Sequence, residues 1–460
     1  AVATYRLGRL LGGPRSGLFA VVLLATTPAW YGHAFSNPKD IPFATLHAWV
    51  LVLALETAPS LPRVPWGRVA ALGVVLGLAL GVRIGGAFVI AYVAVAWGAT
   101  LLAANGPRAL PLPALGRFAA ALGVAWLVLL ASWPGAQASP IALPLEALRD
   151  VGRSGTVVQV LFGGAVVPST DLPRSYLPAW LALTLPETWL VALAAALLGA
   201  LPELRRATRD PARWIRLGVL ALSVAFPVVF AVATRPNDFD AWRHFLFVAP
   251  PLAALAADGF ARFAFDAPVR RPARLAVAAA AVAALALVVV DMVRLHPYQS
   301  VYFNRLVGGG LANAASRFET DYWGASHREG VDWLLANTPS ANPTTPIRRR
   351  ELLPAVPRRL SAGAGSTGPR VPDRGDGAGT RRRARHDPLR LRPQPRRGGV
   401  APAPRRGADG RPAPVRARVA PSLTSRTEEG LAFPPAPPSP SRPARYRTAD
   451  PYRVKVVLYH

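Results

Sequence analysis

Two prolines bracket a charged pair in Asn37-Pro38-Lys39-Asp40-Ile41-Pro42. Arg83 ends an apolar run, the pair Arg243-His244 opens another, and Asp321 stands beside Tyr322 and Trp323. These residue types suit the handling of a phosphorylated substrate. A guanidinium matches phosphate oxygens with paired hydrogen bonds, and a carboxylate can orient a hydroxyl or hold a metal. Proline fixes its own φ and pushes the residue before it toward extended geometry. The spacing therefore predicts a short rigid loop over 36–42 that presents Asp40 in one direction. Asp40 is the catalytic candidate, and Lys39, Arg83, Arg243, His244 and Asp321 are the candidates for binding substrate.

Each candidate has a plainer reading. The 36–42 stretch can be an ordinary polar hairpin, and Arg83 can extend along apolar surface to reach water. Arg243 and His244 can pair locally with Asp238 or Asp240, and Glu319 and Asp321 can be structural. Trp30, Trp97, Trp126, Trp133 and Trp189 read as ordinary core or membrane-face aromatics.

The elements that must position these groups are membrane helices. Of 460 residues, 52% are hydrophobic, and apolar runs of about twenty residues recur through the first two-thirds of the chain. The composition reads as an all-α polytopic membrane protein. With no cysteine, disulfides, thiolate metal sites and cysteine nucleophiles are excluded. The +28 charge is not a nucleic-acid footprint, because residues 341–460 alone hold 26 Lys+Arg against 8 Asp+Glu. Neither a metal-ligand cluster of recognised spacing nor a glycine-rich nucleotide loop after a strand is found. No cofactor is implied, and a divalent ion on Asp40 stays open. The chain opens at Ala1 without an initiating Met or a signal peptide, and the expectation is a larger protein truncated at its N-terminus.

Nine spans are expected, near 18–35, 43–58, 69–83, 86–104, 118–133, 177–200, 217–233, 245–260 and 275–291. Basic stretches at 4–15, 59–68, 105–117, 203–216 and 262–274 then all fall on one side, which the positive-inside rule makes the cytoplasm. The 36–42, 134–176 and 235–244 loops fall on the other side, together with Arg83 and everything after Asp291. Charges that have no reason to recur at span ends thus converge on the outer face, in one cavity lined above by the 134–176 loop.

Residues 1–293 form the membrane domain, and 294–341 an outer juxtamembrane segment that begins a soluble domain. There Tyr298, Tyr302, Tyr322 and Trp323 suit an interfacial aromatic belt. Ser326-His327-Arg328-Glu329 reads as a capping box. From about Asn342 to 460 arginine, proline and glycine dominate and no periodicity survives. That tail reads either as disordered or as translated out of frame, with a plausible strand at 452–459.

The motifs together resemble the dolichyl-phosphate-mannose protein mannosyltransferase and aminoarabinose-transferase type of membrane glycosyltransferase, family 39, of GT-C fold. Asn37–Pro42 resembles the family's second acidic loop, and Gly77–Arg83 its segment ending in a basic residue. Arg243-His244 with Pro250-Pro251 resembles its Arg-aromatic-to-proline span. His296-Pro297-Tyr298 through Thr320-Asp321-Tyr322-Trp323-Gly324 resembles a signature of one bacterial subgroup. The resemblance covers roughly residues 4–340. It implies a polyprenyl-phosphate-linked sugar donor, inverting transfer on the outer face of the bacterial inner membrane, membrane lipid as a partner and no nucleic acid. In that family the principal catalytic acid sits in the first outer loop, within an Asp-Glu pair. The implied enzyme is a polyprenyl-phosphate-sugar-dependent glycosyltransferase, and no counterpart of that acid stands in this sequence, which leaves the activity of this chain open.

Two rival classes stand beside this one. A transporter or flippase favours paired charges or broken helices near mid-membrane, and the expected spans are nearly free of internal charge. A non-enzymatic membrane scaffold leaves the outer charge cluster without a purpose.

Overall fold

In the computed structural model, residues 1–106, 111–151, 157–204, 210–265 and 270–337 are described. They belong to one compact unit; the whole 342–460 tail, with its expected strand, lies outside the described residues.

The described chain is helical apart from one hairpin, β1 (Gln159–Phe162) against β2 (Ala165–Pro168), paired antiparallel with Val160 opposite Val167. Among the described residues, seven helices are long and apolar enough to cross a membrane. They lie over Val2–Ala25, Asp40–Ser60, Ile84–Asn105, Leu112–Ser132, Pro211–Thr234, Arg243–Phe265 and Arg271–Arg294. An eighth crossing is available if α9 (Tyr176–Thr184) and α10 (Glu187–Leu204) act together across their 104° bend. The 17-residue α4 (Trp66–Val82) is a shorter apolar helix.

The N-terminus departs from the expected span at 18–35. Helix α1 (Val2–Ala25) is two pieces that meet at Gly12 and Gly13, where Gly13 has φ 79°, a left-handed conformation that glycine adopts without penalty. The pieces fold back on each other, so that Tyr5 lies against Gly17. After a break at Thr26-Thr27 the short α2 (Pro28–Ser36) follows, and the 18–35 stretch is thus divided between two helices. Trp189 Nε1 donates to Thr27 Oγ1 at 2.9 Å and ties this break to α10.

The bundle centres on α12 (Ala249–Phe265), which packs on α1, α10 and α11 (Pro211–Thr234). The Arg243–Phe265 span is 72% buried and the Arg271–Arg294 span, α13, only 17%; the first is the core of the bundle and the second its exposed edge. Asp258, 3% exposed within α12, is held by Arg213 Nη2 at 2.9 Å and Arg262 Nε at 3.2 Å. Burying a carboxylate is costly unless it is paired and hydrogen-bonded, as it is here.

Helices α3 (Asp40–Thr57), α4, α5 (Val89–Asn105) and α6 (Leu112–Ser132) surround a core of Leu51, Leu72, Leu76, Trp97 and Leu129. Gly73 and Gly77 let α4 approach α6 closely: a Cβ at Gly77 would lie 2.4 Å from the carbonyl oxygen of Ala125. Gly77→Val should therefore destabilise the bundle by about 1–3 kcal/mol or more, seen as a lower thermal unfolding midpoint in detergent. Gly98→Val, where nothing stands within 4 Å, is the control, and equal effects at the two positions would refute this account of the α4–α6 contact.

Candidate functional site

Three spans begin at one end of the bundle with a charged residue. Asp40 is the first residue of α3, Arg83 precedes the 3-10 turn Ile84–Phe88 that leads into α5, and Arg243-His244 open the turn Arg243–Val248 ahead of α12. The break between α2 and α3 is shorter than the expected loop, because Asp40 and Pro42 already belong to α3. Proline is tolerated there since first-turn N–H groups have no partner inside the helix. Asn37 supplies the rigidity assigned above to the prolines alone. Its Oδ1 accepts from the backbone N–H of Lys39 at 3.1 Å and of Asp40 at 2.8 Å, and its Nδ2 donates to Asp40 Oδ2 at 2.7 Å.

Asp40 points into the protein and its side chain is 1% exposed. Arg83 Nη1 donates to Oδ1 at 2.6 Å and Arg243 Nη1 to Oδ2 at 3.1 Å. One carboxylate thus holds two guanidiniums, at the positive end of the α3 dipole. Arg83 also reaches the His244 carbonyl oxygen at 3.3 Å and does not extend away to water. Arg243 Nε donates to Asp240 Oδ2 at 2.8 Å, and its guanidinium lies over the rings of Phe239 and Trp323 at 5.3 and 5.4 Å. His244 Nδ1 lies 2.6 Å from Asp238 Oδ1. Local pairing with Asp238 and Asp240 and the shared cluster are therefore both present.

Asp40, Arg83, Arg243 and His244 stand together. Lys39 is exposed beside them, its backbone N–H on Asn37. Asp321 takes another part: it accepts from the backbone N–H of Ala325 and Ser326, at 2.8 Å each, and from Ser326 Oγ at 2.6 Å. Helix α15 (His327–Asn337) starts where expected. The reciprocal half of the expected box is absent, however: the Ser326 backbone N–H, which the box would offer to Glu329, donates to Asp321 instead, as does the Ser326 hydroxyl.

The expected aromatic belt is also revised. Tyr302 is 2% exposed and donates to Glu187 Oε2 at 2.8 Å, while Tyr322 shares a 2.8 Å hydrogen bond with His33 Nε2. Burial, with Asp240 nearby, holds the Tyr322 phenol well above its usual range. Trp323 Nε1 donates to Asp240 Oδ2 at 3.1 Å. Tyr322 and Trp323 thus close over the charged cluster.

Two features of the site had little or no sequence signal. The 235–242 loop holds Arg235, Asp240 and Ala241 at positive φ (48°, 61° and 59°). Non-glycine residues there are strained, and such strain concentrates at functional sites. Glu319 is the second feature. Its backbone N–H donates to Leu161 of the β1–β2 hairpin at 3.1 Å, and its buried Oε2 has no hydrogen-bond partner among the described residues. Part of the 134–176 loop thus packs against the segment carrying Tyr322 and Trp323. Among the described residues no group of three or more His, Asp or Glu could hold a metal ion.

No family model, curated protein or solved structure matches this chain.

Burial first, and the neighbouring Asp240 second, push Glu319 up from 4.5 to about 7. The folded state therefore keeps a proton that the unfolded chain has lost, and stability falls as pH rises through that window. The unfolding midpoint in detergent should drop between pH 5 and pH 8, and Glu319→Gln should flatten that slope. Identical slopes in the two proteins would show that Glu319 is not the group responsible.

Proposed function

We propose that this protein is an integral-membrane glycosyltransferase that moves a sugar from a polyprenyl-phosphate-linked donor to an acceptor on the outer face of the membrane. The observation that carries the reading is the pair of guanidiniums on Asp40. Arg83 Nε and Nη2 and Arg243 Nη2 have no protein acceptor among the described residues. Two positive groups are thus fixed side by side with donors to spare, as a phosphate requires.

In such a transfer the acceptor oxygen bonds to the anomeric carbon while the bond from that carbon to the phosphate oxygen breaks. The leaving lipid phosphate gains a negative charge, and donors already in place stabilise that charge without reorganising. Arg83 and Arg243 take this part. Asp40, with both oxygens engaged, positions them, and His244 is held by Asp238. The acceptor's proton passes to a carboxylate of the same face, where Asp238, Asp240 and Glu319 stand. The polyprenyl chain remains in the bilayer.

The topology that goes with this reading has nine crossings in a bacterial inner membrane. They comprise the seven long helices with α4 and the bent α9–α10 pair, the first crossing being the second half of α1 continued by α2. The Asp40 end faces outward. Single cysteines placed at Ser36 and Ala325 should react with an impermeant reagent from outside, and one at Ser60 should not. Outside labelling at Ser60 would reverse the orientation.

Arg243→Ala should weaken binding of polyprenyl phosphate by about 2–5 kcal/mol, and Asp40→Asn should lower turnover more than donor binding. Unchanged lipid-phosphate affinity in Arg243→Ala would remove the basis for the proposal.

A further inference from the structure

A second site lies at the opposite end of α12. A groove of about 570 Å3 runs between α12 and α13, walled by Phe260 and Phe265 on one side and Leu275, Val282 and Leu285 on the other. It is open to the surroundings: Phe265, Leu275 and Val282 are 48%, 59% and 67% exposed. Along α13 it extends from Arg271 to Leu285, about 21 Å at the helical rise per residue. That is somewhat deeper than one leaflet of a hydrocarbon core about 30 Å thick. Thr188 lies at its far end.

The mouth of the groove is positive. Arg271 and Arg274 line it, and Arg15 lies 4.7 Å over the Phe265 ring at its edge. Among the described residues neither Arg271 nor Arg274 has an acidic partner. An apolar slot ending in cations complements a molecule with a hydrocarbon chain and an anionic head. The proposed sugar donor does not fit this description, because its phosphate belongs at the Arg83–Arg243 end, the whole length of α12 away.

We propose that the α12–α13 groove holds one anionic phospholipid, its phosphate on Arg271 and Arg274 and one acyl chain along the helices. The positive-inside rule places that head in the cytoplasmic leaflet. The lipid fills the space that α13, packed mainly on α10, leaves against α12.

The test uses the full chain in mild detergent, with native mass spectrometry during titration with phosphatidylglycerol or with phosphatidylcholine of the same chains. One phosphatidylglycerol per chain should be retained in preference to phosphatidylcholine. The double variant Arg271→Gln, Arg274→Gln should lose that affinity roughly thirtyfold, following the contribution of each arginine at an anionic surface. Ala278→Trp, which fills the groove without altering charge, should abolish retention of both lipids. The exposed pair Arg63→Gln, Arg68→Gln, which removes the same charge away from the groove, should leave retention unchanged. Equal retention of the two lipids, or equal loss in the Arg63/Arg68 variant, would reduce the effect to general surface charge and overturn the site. A bound protein or second copy in place of lipid would overturn it as well.

Discussion

The Asp40 carboxylate is the constraint on which the rest of this end of the protein depends. Three span starts, those of α3, α5 and α12, carry charge into a largely buried position, and a single carboxylate reconciles them. Removing charge from water is costly, and the cost is recovered only when hydrogen-bond geometry is good and remaining lone pairs are used. Both conditions hold: Oδ1 takes Arg83, and Oδ2 takes Arg243 and Asn37. The arrangement is therefore better understood as fixing two cations in relation to each other than as adding net stability. Its geometry follows from where the helices begin, so the site and the bundle cannot vary independently.

Around this centre the shells are unequal. On one side Asp238 and Asp240, presented by a loop strained at Arg235, Asp240 and Ala241, hold His244 and Arg243. On the other, Tyr322 and Trp323 arrive from far along the chain and close on His33 and Asp240. The charged groups belong to the bundle and their cover to the segment after α13. Two parts of the protein with separate folding requirements thus meet at one set of arginines.

Much of this was legible in the sequence, for a physical reason. A charge in an apolar run stands out because hydrocarbon forbids it elsewhere, which is how Asp40, Arg83, Arg243 and His244 were found. What stayed hidden depended on choices among equivalent partners. The Ser326 backbone N–H had two carboxylates nearby in sequence, Asp321 and Glu329, and spacing alone does not rank them as acceptors. The reversal at Gly12-Gly13 lies in the basic 4–15 stretch that leads into the first expected span; its Gly-Gly-Pro sequence marks a turn, but nothing in the spacing shows that the residues before it fold back as a helix. Glu319 was invisible as a titrating group because its shift comes from burial under a hairpin distant in sequence.

Asn304 gives the 104° bend between α9 and α10 a consequence for the order in which the protein can be made. Its side-chain amide donates to the carbonyl oxygens of Ala182 and Leu185 at 2.6 and 2.9 Å, and its backbone N–H donates to Leu183 at 2.8 Å. These are the acceptors a broken helix leaves bare, and a buried carbonyl without a donor is costly. Their partner is encoded 119 to 122 residues downstream. A nascent chain that has delivered α9 and α10 to the membrane but not yet residue 304 carries an unsatisfied break. It must hold that break in water or against the insertion machinery until α13 has been threaded. The final satisfaction of an early span thus waits on the arrival of a late one, and a ribosome stalled between them would leave a species prone to quality-control capture.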